Sequence, residues 1–383
     1  MRSRLWLLGS KLAFVLSVCG LSGCGPQIPD VVRIGVGQPL SGPSAARGQD
    51  ILDGVKLAAA ELNAAGFKIA GKPVKIEVVA RDDKADKDSA KKVAQELVDQ
   101  KVTAVIGHLS SDITEVTIPI YKQGNVLQFF TSTASELSTM GGGNTFRLVA
   151  NDALQASAIA GYVAETLDAK TVAIVYEDTA FGRPMSKEAA DGLVKRGRKV
   201  AINDAVDNKT SDFKALVAKL KAETPDVLVA VLRDNQVLPL LQQMNDAGLD
   251  KMVVLSTNSS KTDKLAKGPA NIARLYVTSG AADAREFTGG AAFLKTFRDT
   301  YKHDPVWAAH YAYDAMHVLA DTMSRADSVA PDVLRQKLRT LELVAPVTAT
   351  MRFDATGEQR YGAISVYQRR EAKWDPVMRS DKW

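Results

Sequence analysis

Val-Thr-Ala-Val-Ile-Gly-His-Leu-Ser-Ser-Asp, residues 102–112, reads as a buried strand that stops at a glycine and turns into a helix. Val102–Ile106 is a short, largely β-branched apolar run without polar alternation, as in a parallel strand covered on both faces. Ser110, Ser111 and Asp112 are helix-start residues, and the pattern continues as a helix to Gln123 despite Pro119. The next apolar run, Val126–Phe130, ends in Thr131-Ser132-Thr133-Ala134-Ser135. In open α/β sheets, strand ends and the helix N-termini that follow them line one edge, where ligands meet them. Two adjacent strand ends carrying hydroxyls therefore point to a polar ligand site at Ser111, Thr131, Ser132 and Thr133. The free N–H groups at the helix start suit a carboxylate. The same serines serve equally well as plain helix caps.

The strand–helix alternation extends in both directions. Upstream lie strand Val31–Gly37, a Gly/Pro/Ser loop to Gly48, a helix over 51–65, strand Val74–Val79 and a helix over 86–100. A second series follows Gly141-Gly142-Gly143. It comprises helix 152–167, strand 171–176, helix 183–196, strand 199–202, helix 211–222, strand 226–232, helix 236–247 and strands 252–255 and 274–278. Residues 286–341 read as mostly helical, too small for a third α/β unit, and are expected to complete the first. Two strand-like runs close the chain, Met351–Phe353 and Ala363–Tyr367. The expectation is an α/β protein of two doubly wound lobes with the binding cleft between them. The first lobe would hold 31–148 plus 279–348, and the second 149–278 plus 349–383.

The 383 residues are 46% hydrophobic and 24% charged, which excludes dominant disorder. The net charge of +5 leans on Arg2, Arg4 and Lys11; from residue 24 onward 46 basic residues face 44 acidic ones. With no basic block, the composition gives no support for nucleic-acid binding. Arg2 and Arg4 followed by a broken apolar stretch, Leu5–Leu21, form a secretory signal over 1–23. Its end, Leu21-Ser22-Gly23-Cys24, resembles the lipobox of bacterial lipoproteins, which implies a diacylglycerol thioether on Cys24. Residues 24–30 would then be a tether, the body would carry no disulfide, and the protein would sit in the cell envelope on a lipid anchor.

Chemistry is conspicuous by what is missing. Gly35-Val36-Gly37 lacks the later glycine of a dinucleotide fingerprint, and neither GxxxxGK[ST] nor GxSxG occurs. His303, His310 and His317 are spaced by seven, too far apart to share a metal on one helix face. His108 beside Ser110, Ser111 and Asp112 lacks the geometry of a triad without a special turn. No catalytic residue, metal or cofactor is expected.

With Gly37-Gln38-Pro39-Leu40-Ser41-Gly42-Pro43, Gly48, Gly54 and Ala59-Ala60-Glu61-Leu62-Asn63 on the page, the chain resembles the branched-chain amino-acid binding proteins of bacterial ABC importers. Arg81-Asp82-Asp83, the 105–111 turn, Phe146-Arg147, Asn151-Asp152, Gln155-Ala156, Asp178, Phe181-Gly182 and Ser211-Asp212-Phe213 continue the likeness to about residue 370. The resemblance implies the type I periplasmic-binding fold, with three crossings between lobes and closure by hinge bending. It implies an amino acid or related small carboxylate as ligand, ABC permease subunits as partners, and a monomer. It assigns ligand contacts to Ser111 (hydroxyl and backbone N–H), the Thr131 carbonyl and Thr133, with an aromatic at Phe181.

Elsewhere the chain departs from that pattern. Arg47 stands where an aromatic is frequent, Arg233 and Asp234 follow strand 226–232 where another is expected, and Asn258 replaces an acid. The cysteine pair of some members is Ala85 and Ser110 here. Loss of the acid with gain of Arg47 and Arg233 favours a ligand of less positive character, whereas Asp234 offers a substitute acid that would restore an amino acid. A ligand sensor on the same fold, or an envelope hydrolase with a serine–histidine pair across the cleft, are the other classes this sequence admits.

Overall fold

The structure is a computed structural model describing residues 28–268 and 274–380. The signal, Cys24 and the first part of the tether lie outside the described residues. The tether's end is stapled down: Lys72 Nζ donates to the Ile28 carbonyl at 2.7 Å and pairs with Asp30 at 2.8 Å.

The first sheet has five parallel strands in the spatial order Lys75–Asp82, Val31–Gln38, Ala104–Ile106, Leu127–Phe130, Thr145–Arg147. Val32, Ile34 and Val36 bury one face against Ile51 and Val55 of helix Ala45–Ala64 and Ala312, Ala315 and Leu319 of helix Ala309–Ala326. Val79 and Val105 bury the other face against helix Lys87–Asp99 and Tyr121 of helix Ser111–Gln123. Covering both faces explains why these strands read as unbroken apolar runs. Helices 45–64 and 309–326 touch at Gly54, where a Cβ would lie 2.2 Å from the Ala309 carbonyl oxygen.

The second sheet runs Lys373–Arg379, Ser365–Arg370, Leu275–Ser279, Val253–Ser256, Val227–Val231, Thr171–Glu177, Lys199–Val206. Its two C-terminal strands are antiparallel additions to a parallel sheet. Helices Lys214–Glu223 and Asp234–Asp246 cover one face; Asp152–Gly161 and Gly182–Lys195 cover the other. The chain crosses between the sheets after Arg147, after Ser279 and again before Ser365. The helical return, Gly290–Tyr301, Ala309–Ala326 and Pro331–Thr340, packs on the first sheet as expected.

Three readings need correction. The helix expected from Ile51 begins at Ala45. Gly48, read as a loop glycine, is instead a contact glycine: a Cβ there would lie 2.1 Å from the Pro39 carbonyl oxygen. Arg47 therefore sits on a rigid first turn. The segment 349–353, assigned to the second lobe, pairs with Leu343–Ala345 and packs in the first core through Met351 and Phe353. Phe353 meets Phe146 edge-on at 5.1 Å, so the third crossing comes later than residue 349. Strands Thr145–Arg147 and Lys373–Arg379 had no sequence expectation. The first is three residues long, and the second carries Pro376, tolerated because it lies at the sheet edge.

Phe353→Ala is expected to destabilise the protein by about 3–5 kcal/mol in urea unfolding, the range for a fully buried phenylalanine. A loss below about 1 kcal/mol would mean that this segment is only a loose flap.

Candidate functional site

The turn Thr131–Ser135 is built around one side chain. Arg147, fully buried, donates through Nη1 to the Ser132 carbonyl and through Nη2 to the Ala134 carbonyl at 2.7 Å. Its Nε meets both carboxylate oxygens of Glu358 at 3.0 Å. With those carbonyls held, the Ala134 N–H points to Ser111 Oγ at 3.1 Å, joining the helix start to the neighbouring strand end. The Ser111 hydroxyl, 6% exposed, accepts that bond and keeps its own proton to donate.

From Thr133 a chain of contacts leads across the cleft. Its carbonyl accepts from the Asp152 N–H at 2.8 Å, and Gln155 Nε2 reaches Asp152 Oδ1 at 3.3 Å and Asn258 Oδ1 at 2.8 Å. The Gln155 carbonyl oxygen also accepts from the Thr278 hydroxyl at 2.9 Å. On the far side of Asn258 stands Arg47. Its Nη2 donates to the carbonyls of Asn258, Ser259 and Lys261 at 3.2–3.4 Å, and its guanidinium lies 5.1 Å from the Trp307 ring. Arg47 belongs to the first lobe and its acceptors to the second, so this guanidinium is a bridge between lobes. Burial lowers its pKa to about 10, while Asp234 works to keep the charge and Arg233 opposes it.

Asp234 opens helix Asp234–Asp246 and accepts from the Thr262 hydroxyl at 3.0 Å. Arg233 is paired with Glu177, 3.2 Å away and fully buried at the end of strand Thr171–Glu177. Burial raises the Glu177 pKa, the nearby Arg233 lowers it, and Asp112 across the cleft raises it further. Asp112 adjoins Ser111, so polar and charged groups of both lobes face one another across the cleft. Among them, Thr131 Oγ1 is buried with no hydrogen-bond partner among the described residues, while the Asp152 carboxyl is held by the side chains of Thr133 and Gln155. Such atoms are costly unless something completes them.

Ser111, Thr131 and Thr133 stand at neighbouring strand ends of the first lobe, and Arg47 reaches from that lobe to the Asn258 loop, with Arg233 and Asp234 among the charges acting on it. Ser132 contributes only its backbone, because its hydroxyl turns inward to Thr114 Oγ1 at 2.8 Å. Phe181 lies just before helix Gly182–Lys195 and is buried in the second core, not free in the cleft. Sequence reading missed Asp152, Gln155, Glu177, Arg147 and Trp307 as site residues. Arg147, Asp152 and Gln155 had a signal, since they stand in the motifs that carry the family likeness; Glu177 and Trp307 had none.

The histidines do not support catalysis. His108 is fully buried between Asp83 at 2.6 Å and the Tyr121 hydroxyl at 3.1 Å, so both ring nitrogens are engaged away from every serine. His310 is packed among Phe287, Phe293 and Tyr311, and burial pushes it down to about 4. Among the described residues no group of acids, histidines or cysteines is placed to hold a metal ion, and no helix is long and apolar enough to cross a membrane.

Two α/β lobes face each other across a polar cleft that Arg47 bridges. The family model described as "Periplasmic binding protein" matches residues 31–373, and the chain belongs to that family. It is 30% identical over 380 residues to a Pseudomonas aeruginosa protein named "Amino acid binding protein", covering 98% of both chains. Its fold matches a leucine-binding protein from Thermotoga maritima with TM-score 0.82, at 20% identity over 92% of this chain and all of the other. It also matches a solute-binding protein of an ABC transporter from Rhodopseudomonas palustris, solved with 3,4-dihydroxybenzoic acid, with TM-score 0.79 and 20% identity over 92% and 97% of the two chains. The fold is that of the type I periplasmic binding proteins.

The site carries a pH signature. Burial pushes the Asp152 carboxyl up to about 7, against the Thr133 hydrogen bond and the pull of Arg147. A carboxyl raised from 3.8 in the fold contributes stability at low pH that is lost as pH climbs from about 4 through 7. Thermal unfolding of the ligand-free protein should show this downward slope, and Asp152→Asn should flatten it. An unchanged slope would show that Asp152 is already paired and ionised.

Proposed function

We propose that the protein captures an amino acid between its lobes and delivers it to an ABC permease, breaking no bond in the process. The ligand α-carboxylate takes the start of helix Ser111–Gln123, where the Ser111 hydroxyl and the free N–H groups converge. The ammonium is met by the Thr131–Thr133 edge. One observation carries the reading: polar groups of both lobes face a cleft at that helix start, and at the neighbouring strand end the Thr131 hydroxyl is buried with no partner among the described residues.

The charge of the cleft supports a zwitterion. Arg47 and Arg233, which from sequence favoured a more anionic ligand, are both answered within the protein, by three carbonyls and by Glu177. Asp112 and Asp234 bring carboxylates to the cleft, and Asp152, pushed up to about 7 by burial, would ionise against a bound ammonium. The Asn258 side chain is bonded to Gln155 and does not supply the family's acid. The fold itself does not choose, since it carries a leucine binder and an aromatic-acid binder alike. The secretory signal and the lipobox-like Leu21–Cys24 support a periplasmic site of action on a lipid anchor, and intact-mass analysis of the membrane-bound protein should show the added diacylglycerol.

Titration calorimetry with a panel of amino acids and aromatic acids tests the reading. At least one amino acid should bind tightly, and Ser111→Ala should weaken it roughly 10- to 100-fold, the value of a hydrogen bond to a charged group. Tight binding of an aromatic acid with silence from every amino acid would overturn it. Arg47→Ala should leave the lobes more open in small-angle scattering of the ligand-free protein, because three bonds between lobes are lost.

A further inference from the structure

The first sheet has a second end that the cleft leaves unused. Its five strands run parallel, so Ser111, Thr131 and Thr133 lie beyond their C-terminal ends and the strand starts gather at the far end of the lobe. The chain enters the fold there, where the Asp30 carbonyl accepts from the Lys75 N–H at 2.9 Å. Lys68 lies in the adjoining hairpin, its carbonyl bonded by the Ser324 hydroxyl at 2.8 Å. Lys101 precedes Thr103, whose N–H donates to the Arg33 carbonyl at 2.8 Å. Lys122, in the last turn of helix Ser111–Gln123, and Arg339 stand close against Gly142 and Gly143, in the turn before strand Thr145–Arg147.

Cations are in excess at this end. Lys68, Lys75, Lys101 and Lys122 are exposed, and none is paired with an acid among the described residues. Most acids here are already matched: Asp30 with Lys72, Glu77 with Arg33, Asp321 with Arg325 and Asp332 with Arg335. Asp99 at a helix end, and Asp327, which accepts from the Ala70 N–H at 3.0 Å, are left to answer the four lysines and Arg339.

The tether decides what such a face meets. Four residue steps separate Cys24 from Ile28, so an anchor on Cys24 keeps the strand starts within about 14 Å of the leaflet even at full extension. Attraction between exposed charges fades over roughly 8 Å at physiological salt, so a body held this near feels the headgroups at one end only. We infer that the basic end of the first lobe rests on anionic phospholipid, with the cleft turned away from the membrane towards solutes. This orientation rests on the lipid anchor proposed for Cys24.

Amine footprinting tests it. Cys24, the one cysteine outside the signal, is coupled in the mature chain to a maleimide phospholipid, so the outcome does not depend on whether cells lipidate it. On vesicles containing phosphatidylglycerol, acetylation of Lys68, Lys75, Lys101 and Lys122 should slow roughly fivefold or more, the bias that even one basic residue gains at an anionic surface. Exposed Lys221 and Lys251 of the second lobe should keep their rates. The protection should vanish on pure phosphatidylcholine, and Lys101→Glu/Lys122→Glu should remove it from Lys68 and Lys75. No protection, equal protection on both vesicles, or protection that survives the double substitution would overturn the orientation. The two vesicles decide alone if the double variant fails to fold. Failure of the anchor shows separately, as an intact mass without diacylglycerol on protein taken from cells.

Discussion

The buried guanidinium of Arg147 is the constraint on which the site rests. A charge wholly removed from water is tolerated only when its donors are all directed at acceptors. Here those acceptors are the carbonyls of the 132–135 turn and the Glu358 carboxylate. Satisfying Arg147 fixes the turn's backbone, which in turn aims the Ala134 N–H at Ser111 and the Thr133 carbonyl at the helix entering the second lobe. Glu358 lies on the approach to the third crossing and Arg147 at the start of the first. One ion pair thus locks the ligand edge to two of the three segments that must bend.

Across the cleft Arg47 plays a complementary part. Its acceptors at Asn258, Ser259 and Lys261 lie on one short loop, and that loop is wired to the hinge. Lys261 Nζ lies 4.0 Å from the Tyr367 ring, and the Tyr367 hydroxyl bonds both Glu286 and the Asp283 N–H on the second crossing. Arg285 and Lys261 hold the Asp283 carboxyl well below the usual range, although burial alone would raise it. A pull on Arg47 is therefore felt at the crossings through charged contacts in a region of low dielectric, where they weaken little with salt.

The architecture was readable because it is repetitive. Strands covered on both faces must be apolar throughout, and amphipathic helices must alternate with them, so Val102–Ile106 and Ser111–Gln123 announced themselves. What escaped was decided by close approach between distant segments. Gly48 looks like a loop residue until Pro39 is found against it, and Phe353 looks like a strand of the second lobe until it stacks on Phe146. The site divided in the same way. Ser111, Thr131 and Thr133 follow from the strand-end rule, which depends on local topology alone. Ser132 satisfies the same local rule and Phe181 fits the family likeness, yet their side chains were claimed by Thr114 and by the second core.

The charges show why composition misled about the ligand. Arg47 and Arg233 are two unopposed cations when read along the chain, because Glu177 is 56 residues from Arg233 and Arg47 is answered mainly by carbonyls, which carry no sequence signature. Each arginine is satisfied by an acceptor brought in by folding, and the acids left over set the field that a ligand meets. Specificity in such a cleft is a matter of what remains after the protein has paired its own charges. The same rule fits the unpartnered Thr131 Oγ1: a cleft completed internally would gain stability and lose its reason to bind.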